Sequence, residues 1–338
     1  MVRIDYDISD DSDYLFTCAE LKKRETEFLD ENRIEKLLMS GGTDEFIKTL
    51  RDTVYSKYLD DLENSGNFDK VVLGEYGNTV KFLDERLRDE HKPVIGILFL
   101  EENLHNLKVV IKSIVLDMDL ENLFIPISDS YQTLREAALK GNYKEIDQSI
   151  SEVFSFAVEI AGVQKNYRLM ELEIEKFYLS NIFDSSKKIK RQFITDYLRH
   201  IIDIYNIQNI CRNKYLEEDL NFDNFIYENG FLPKNSLKRF ESENLDFLVK
   251  ELEWTDYADM IAKGIRTLNS KKTFSSFEKS EGQFLMDFFD PLKFTVSNLE
   301  KIFQFFFRKK NELRYLNIIY TGVFYGIDKE KIRNKVKV

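Results

Sequence analysis

The sequence has little proline and glycine, with 4 Pro and 13 Gly among 338 residues. Both residues destabilise a helix interior, so their scarcity over such a length favours long helices. Runs such as AELKKRETEFLDENRIEKLL, which contain neither residue, fit this composition. Hydrophobic residues make up 43% of the chain and aromatic residues 14%, a content that excludes general disorder. We therefore predict an all-α protein with a large core, divided into two or three domains.

Cysteine and long apolar runs are also scarce. Cys18 and Cys211 are the two cysteines, neither lies in a CxxC pair, and no secretory apolar segment follows MVRIDYDISDD. This pattern predicts free thiols in the cytosol. The longest clean apolar run, PVIGILFL at 93–100, is much shorter than the roughly twenty residues that a bilayer-spanning helix needs. We expect a chain that is soluble, or that contacts a membrane only through a partner.

Basic residues are fewer than acidic ones, because 49 Lys and Arg stand against 60 Asp and Glu, a net charge of −11. Proteins that bind the phosphates of nucleic acids are normally basic. The bulk charge therefore argues against nucleic acid as a partner, and equally against non-specific binding to anionic lipid. Local basic patches are not excluded by this balance.

Sequence signatures of catalysis are absent. His91, His105 and His200 are scattered and no HExxH is present, so the sequence predicts no metal site. The chain also lacks the GxxxxGK[ST] phosphate loop, a GxGxxG after a strand, and the GxSxG elbow. We predict no catalytic, cofactor-binding or metal-binding residue, although an all-α enzyme with an unrecognised site stays an open alternative.

One helical pattern occurs three times. It is clearest in DIYNIQNICRNKYL at 203–216, where Asn206 serves as the anchor; Asn106 and Tyr315 are the matching anchors, 100 residues before and 109 after. Four offsets from the anchor (−2, +1, +4 and +5) are apolar in all three copies, and on a helix they fall within an arc of about 120°. We predict that they form the buried stripe of each helix. These residues are Leu104, Leu107, Val110 and Ile111; Ile204, Ile207, Ile210 and Cys211; and Leu313, Leu316, Ile319 and Tyr320.

A polar position interrupts the apolar stripe of each copy. Three residues before the anchors stand Asn103, Asp203 and Glu312, and this offset points into the apolar arc. A buried polar group must find a hydrogen-bond partner. We interpret these residues as structural, each bonding one helix to another; a line of polar groups facing an inter-domain axis is the alternative.

Basic side chains on another face are the candidate partner contacts. Offset +2 is polar in each copy (Lys108, Gln208 and Asn317), and offset +6 holds Lys112, Arg212 and Thr321. We predict that Lys112 and Arg212 bind a partner, since Arg pairs well with carboxylates. KIFQFFFRKKNEL adds Arg308, Lys309 and Lys310, which follow a predicted core stripe of Phe303, Phe306 and Phe307. Simple exposure to solvent is the alternative for all five cations.

A shorter sequence match also precedes the anchors. Together with the repeated helices it indicates how the chain divides into domains. Thr53 and Tyr55 match Thr255 and Tyr257, whereas Tyr143 is a looser match in the middle copy. We predict three similar helical domains, at 1–124, 125–222 and 223–338. Three related units favour a pseudo-threefold arrangement, with an open solenoid as the alternative.

The sequence resembles the C subunit of archaeal and bacterial A-type and V-type ATPases, a family that includes the d subunit of the eukaryotic V-ATPase. Its segments CAELKKRETEFLDENRIEKLL, MELEIEKFYLSNIF with DYLRHIIDIYNIQNICRNKYL, and ENGFLPKNSLKRF carry the resemblance over nearly the whole chain. The ending KKNELRYLNIIYTGVFYGIDKEKIRNKV is the most specific piece and keeps the family pattern at Leu316, Ile319, Tyr320 and Gly322. There Tyr315 replaces the Asn of the family and Asn317 its Arg.

The resemblance implies a fold and a role. The fold is an all-helical, funnel-shaped arrangement of three domains. The role is that of a non-catalytic, single-copy rotor component of the central stalk, a monomer when isolated, without a cofactor. It implies contacts with the shaft, formed by the D and F subunits, and with the proteolipid (c/K) ring at the cytoplasmic face of the membrane, so that rotation couples ATP synthesis or hydrolysis to H⁺ or Na⁺ transport. A free-standing helical-repeat scaffold for cytosolic partners is the alternative.

Overall fold

The computed structural model describes residues 8–127, 129–146, 148–216 and 220–336. Throughout these ranges the regular elements are α-helices and short 3-10 helices, and strands are absent. The all-α class predicted from the scarcity of proline and glycine is therefore confirmed.

Close contacts divide the described residues into two compact units. We call Arg88–Pro291 the central unit, and Ile8–Leu87 together with the chain from Leu292 onward the terminal unit. The terminal unit thus combines both ends of the sequence. These edges differ from the three predicted domain boundaries, and the division into three similar domains stays a prediction.

The helices of each unit follow in chain order. In the terminal unit they are α1 Leu15–Arg24, α2 Glu31–Met39, α3 Thr43–Leu50, α4 Leu59–Ser65, α5 Asp69–Arg86, α17 Leu299–Phe324 and α18 Lys329–Val336. In the central unit they are α6 Val94–Leu98, α7 Leu100–Val115, α8 Tyr131–Lys140, α9 Gln148–Val163, α10 Tyr167–Ile189, α11 Gln192–Tyr215, α12 Phe222–Phe225, α13 Lys234–Lys238, α14 Leu245–Glu251, α15 Ala258–Lys271 and α16 Ser275–Phe288.

The three repeated segments form α7, α11 and α17, with lengths of 16, 24 and 26 residues. All twelve apolar stripe residues of these helices are buried, which confirms the stripe predicted from the helical period. Each polar residue at offset +2 bonds to an acid: Lys108 to Glu175, Gln208 to Glu281 and Asn317 to Asp69. The repeated offsets therefore indicate which side chains of each helix are buried and which one bonds to an acidic residue.

Ion pairs and a tight turn set the directions of three helices in the central unit. Lys108 pairs with Glu175 and Lys112 with Glu171, so α7 and α10 run antiparallel. A left-handed residue, Lys190, ends α10 and lets the chain turn back into α11. Helices α7 and α11 consequently run parallel to each other, and their C-terminal ends lie at the end of the unit where α10 begins.

Aromatic residues fill the core of the terminal unit around α17. The rings of Phe46 and Phe68 each lie 5.3 Å from that of Tyr320 between centroids, an ordinary distance for aromatic pairs. Of the predicted core stripe, Phe303 and Phe306 are buried, whereas Phe307 is half-buried. The packing holds α17 against the helices of the N-terminal segment.

Candidate functional site

Two similar turns place a tyrosine hydroxyl in the interior of each unit. Thr53 donates its hydroxyl to Leu50 O (2.7 Å) and accepts from the backbone N–H of Tyr55 (3.2 Å). Thr255 makes the same pair of bonds, to Leu252 O (2.7 Å) and from Tyr257 N (3.3 Å). The threonine side chain therefore fixes the local backbone that directs the tyrosine inward.

The central unit uses its tyrosine to bind Asp203 on α11. The Tyr257 hydroxyl donates to Asp203 Oδ2 at 2.7 Å, and the backbone N–H groups of Phe231 and Leu232 donate to the same carboxylate at 3.0 and 3.1 Å. Asp203 is fully buried, so these donors replace the water that it would otherwise bind. We call this group the Asp203 node; it joins α11 to the loop before α13 and to the start of α15.

His200, one turn before Asp203 on α11, extends the Asp203 node. Its Nδ1 lies 2.7 Å from the Tyr257 hydroxyl oxygen. Since the Tyr257 proton goes to Asp203, His200 must donate its Nδ1–H to Tyr257. Burial raises the pKa of Asp203 from 3.8 to about 6 and lowers the pKa of His200 from 6.5 to about 4. At neutral pH the node therefore contains an ionised aspartate and a neutral histidine.

The two pKa shifts have opposite effects on stability. Folding favours the neutral form of His200. Its contribution to the free energy of unfolding is therefore complete above pH 6.5 and is lost as the pH falls toward 4. Folding favours the protonated form of Asp203. Its contribution to the free energy of unfolding is therefore complete below pH 3.8 and is lost as the pH rises toward 6. Between about pH 4 and pH 6 the folded and unfolded chains hold the same number of protons at this pair, which leaves stability nearly constant.

Single substitutions should uncover these opposite pH dependences. With Asp203→Asn, His200 is the one member of this pair that titrates, and relative to the wild type the unfolding constant should gain a roughly 100-fold rise as the pH falls through the histidine window. With His200→Gln, Asp203 is the one member of this pair that titrates, and relative to the wild type the constant should gain a similar rise as the pH rises through the aspartate window. Urea unfolding followed by circular dichroism at small pH steps measures both slopes. If the two variants differ from the wild type by slopes of the same sign, the assignment is contradicted.

The terminal unit has a corresponding node around Glu312 on α17. Glu312 accepts from the Tyr55 hydroxyl and from the backbone N–H of Leu29 (2.6 Å). Lys309 Nζ donates to the Tyr55 oxygen at 2.8 Å and lies 3.6 Å from Glu312 and 3.7 Å from Glu75. Burial, followed by the charge of Glu312, holds the pKa of Tyr55 well above its usual 10.0. We call this group the Glu312 node.

Glu75 connects the Glu312 node to α5. Its Oε1 lies 2.7 Å from Lys57 Nζ and accepts from the Tyr58 hydroxyl at 2.7 Å. Burial alone would raise the pKa of Glu75, but the hydrogen bonds from Lys57 and Tyr58, together with the charges of Lys309 and Lys57, outweigh it and the net shift is downward. The carboxylates of Glu312 and Glu75 are thus balanced by the ammonium groups of Lys309 and Lys57. Charges in a partly buried site are stable only when they are paired in this way.

The anchor asparagines have a role that the sequence reasoning did not assign. Asn206 donates its amide to Tyr227 O at 2.9 Å and accepts from Tyr227 N at 2.7 Å. Asn106 makes the same two bonds to the backbone of Ile125, accepting from its N–H at 2.8 Å. Each asparagine therefore holds the chain that follows its helix. The available signal was the same amide at the same buried offset in two copies.

The remaining structural residue, Asn103, has a different setting. It is half-buried on α7 and lines a small cavity of the central unit together with Asn106 and Tyr178. Asp203 and Glu312 are thus each the centre of a carboxylate node, whereas Asn103 lies beside this cavity.

The five cations predicted to bind a partner differ in their exposure and in the groups that they contact. Lys112 is half-buried and pairs with Glu171 at 2.5 Å; Arg212 is exposed, 5.8 Å above the Phe274 ring. Arg308 is partly exposed, 3.7 Å from Glu25, and Lys310 is half-buried. Lys309 belongs to the Glu312 node. The structure therefore brings Lys309 together with Glu312, another predicted residue.

The described ranges contain neither a cluster of metal ligands nor a helix suited to a bilayer. No group of three or more His, Cys, Asp or Glu residues there is arranged to hold a metal ion. No helix among the described residues has the length and apolarity to cross a membrane.

Over the described ranges the fold is all-helical, and the two carboxylate nodes define a protein whose buried polar residues join helices and loops. The chain belongs to the ATP synthase (C/AC39) subunit family, whose model matches residues 17–335, and the resemblance seen in the sequence is confirmed.

Three relatives illustrate the extent of the similarity. The C subunit of the A-type ATP synthase of Methanocaldococcus jannaschii is 20% identical over 342 residues, covering 95% of this chain and 85% of the relative. The protein of the same name from Methanobrevibacter smithii is 23% identical, covering 90% and 83%. The C subunit of the V-type sodium ATPase of Enterococcus hirae is 18% identical, covering 94% and 96%.

Proposed function

We propose that this chain is the non-catalytic central-stalk component of an A-type or V-type ATPase. It joins the D–F shaft to the proteolipid ring and passes rotation between them. The observation that carries the proposal is the family match over residues 17–335, supported by relatives named as the C subunits of A-type synthases and of a sodium ATPase. The chain sits at the cytoplasmic face of the membrane as one copy per complex, in the three-domain funnel expected from the sequence.

A rotor connector has to transmit torque without deforming, and the two carboxylate nodes suit that task. The Asp203 node braces the 24-residue α11, and the Glu312 node braces the 26-residue α17. Close-packed interiors resist deformation, and buried hydrogen-bond networks fix a single arrangement of their elements. In this proposal Lys309 does not bind the shaft; it stabilises the Glu312 node and so helps to keep α17 rigid.

Accessible cations provide the contacts to the shaft. Arg212 is exposed, and Lys112, Arg308 and Lys310 are half-buried, so each can reach a partner. Their charge steers a partner with acidic residues at its contact surface. Arg212 has the strongest claim of the four, since its guanidinium can bind a carboxylate through two hydrogen bonds.

Binding to a purified D–F shaft tests the proposal. We expect the wild-type chain to form a complex at low salt that weakens as salt is added, because exposed charges are screened. Arg212→Glu should weaken the affinity about tenfold. Lys263→Glu, an equal change of charge at another exposed position, is the control and should have little effect. Failure of the wild-type chain to bind either the shaft or the ring at low salt would overturn the proposal.

A further inference from the structure

Around Asp203, a loop and a hydroxyl together satisfy the buried polar group of α11. Asn206 bonds to both backbone groups of Tyr227. Four residues later in the same loop, the N–H of Phe231 donates to Asp203 at 3.0 Å. Tyr257 supplies the hydroxyl from another element at 2.7 Å.

The α7 copy of the repeat brings a helix residue and a loop residue together in the same way. Asn106 bonds to both backbone groups of Ile125, and four residues later in that loop stands Asp129. Asp129 lines the small cavity of the central unit together with Asn103, the counterpart of Asp203. The cavity is therefore at the position in the α7 copy that corresponds to the Asp203 node.

A tyrosine from a different helix reaches this cavity. Tyr143, the looser match to Tyr257, packs its ring 6.0 Å from that of Phe154 between centroids and is not among the described residues that line the cavity. Tyr178 on α10 lines it instead and is only 4% exposed. Within the described part of the chain the Tyr178 hydroxyl has no hydrogen-bond partner. A buried hydroxyl normally has one.

Asn103 and Tyr178 lie close to each other without being bonded. Burial raises the pKa of Tyr178, and the Asn103 side chain partly opposes this rise, although the two groups do not reach hydrogen-bond geometry. Two polar groups at such a separation are commonly joined by a water molecule.

The size and the walls of the cavity suit a single small polar molecule. A volume of about 20 Å³ is open to a water-sized sphere, and one water needs roughly 10–15 Å³. Leu107, Leu134 and Val153 are among the apolar side chains of its walls. A buried water typically makes about three hydrogen bonds, and the side chains of Asn103, Asp129 and Tyr178 supply three polar groups.

We propose that one buried water molecule occupies this cavity and bridges Tyr178 to Asn103 and Asp129. Tyr178 donates its hydroxyl proton to the water, and the water donates to the Asn103 amide oxygen and to the Asp129 carboxylate. The water thus does for α7 what the Tyr257 hydroxyl does for α11. An amide at position 103 also avoids placing two like charges around one small cavity, which would disfavour ionisation of both.

Oxygen-17 magnetic relaxation dispersion of water tests the proposal on the full chain, because it counts water molecules held inside a protein for longer than its tumbling time. Val153→Ile adds a methyl group at the cavity wall, and the count should fall by about one as the space for the water is filled. Tyr131→Phe is the control for the count. The Tyr131 oxygen accepts from the backbone N–H of Leu120 at 3.0 Å, so its removal should leave the cavity water in place.

Tyr178→Phe distinguishes a hydrated cavity from a dry one by the sign of its effect on stability. With the bridging water the variant loses a hydrogen bond, and the unfolding constant should rise about fivefold. In a dry cavity the wild-type hydroxyl would be unbonded, and its removal would lower the unfolding constant. Combining Tyr178→Phe with Asn103→Leu should cost less than the sum of the two single changes, because both remove bonds to the same water. Urea unfolding followed by circular dichroism measures all three variants.

Two results would overturn the inference. One is a lower unfolding constant for Tyr178→Phe than for the wild type. The other is an unchanged water count in folded Val153→Ile. If that variant does not fold, the double variant Tyr178→Phe with Asn103→Leu takes its place, since its cavity has lost two of the three bridged groups. An unchanged count there would equally overturn the inference, whereas the proposed function does not depend on this cavity.

Discussion

Replacing Glu312 by alanine is expected to lower the free energy of unfolding by about 3–5 kcal/mol, the usual cost of removing one partner from a buried ion pair. The substitution leaves the Tyr55 hydroxyl and the Leu29 N–H without their acceptor. It also takes one of two carboxylates from the mostly buried Lys309. Urea unfolding monitored by circular dichroism measures the change.

Two variants provide the controls for this prediction. Glu330→Ala removes an exposed carboxylate that pairs with Arg333, and exposed pairs of this kind contribute about 0–1 kcal/mol. Glu312→Gln keeps an acceptor for Tyr55 and Leu29 but removes the charge, so its effect should be intermediate. A loss below about 1 kcal/mol for Glu312→Ala would mean that the node contributes little to stability.

Replacing Gly230 by alanine should destabilise the central unit by about 4 kcal/mol, combining overpacking with weakened hydrogen bonds to a buried carboxylate. A Cβ at this position would lie well inside contact distance of Asp203 Oδ1 and 3.0 Å from its Cγ. Asp203 cannot move away cheaply, since Tyr257, Phe231 and Leu232 all donate to it. Thermal and urea unfolding of the variant measure the loss.

Gly282→Ala is the matched control for Gly230→Ala. Gly282 lies within α16, and nothing stands within 4 Å of the added Cβ. Alanine favours a helix over glycine by about 0.5–1 kcal/mol, so this variant should be more stable than the wild type. Equal stability changes in the two variants would contradict the role given to the close approach between Gly230 and Asp203.

The two nodes connect parts of the chain that the predicted domain boundaries separate. Tyr55 belongs to the predicted domain 1–124, and its partner Glu312 to the predicted domain 223–338. Tyr257 of that last domain binds Asp203 of the middle one. The first half of one sequence repeat thus packs on the long helix of another. This pattern explains why both ends of the chain form a single compact unit.

The sequence by itself determined the helical class and the buried faces of the long helices. Few breakers allow long helices, and a period of 3.6 residues decides which side chains share a face. The same period placed Asp203 and Glu312 within apolar stripes, where a polar group requires a partner. The family resemblance followed from whole segments, above all the ending of the chain.

Only the tertiary structure decided which partner each buried residue meets. A helical period gives the direction of a side chain but not the element that faces it. Tyr257 lies 54 residues from Asp203, and Tyr55 lies 257 residues from Glu312. The same limit explains why Lys309 was predicted as a partner contact together with Arg308 and Lys310, although in the structure it belongs to the Glu312 node. Such pairings depend on how distant segments pack, because hydrogen bonds and ion pairs act only over a few ångströms.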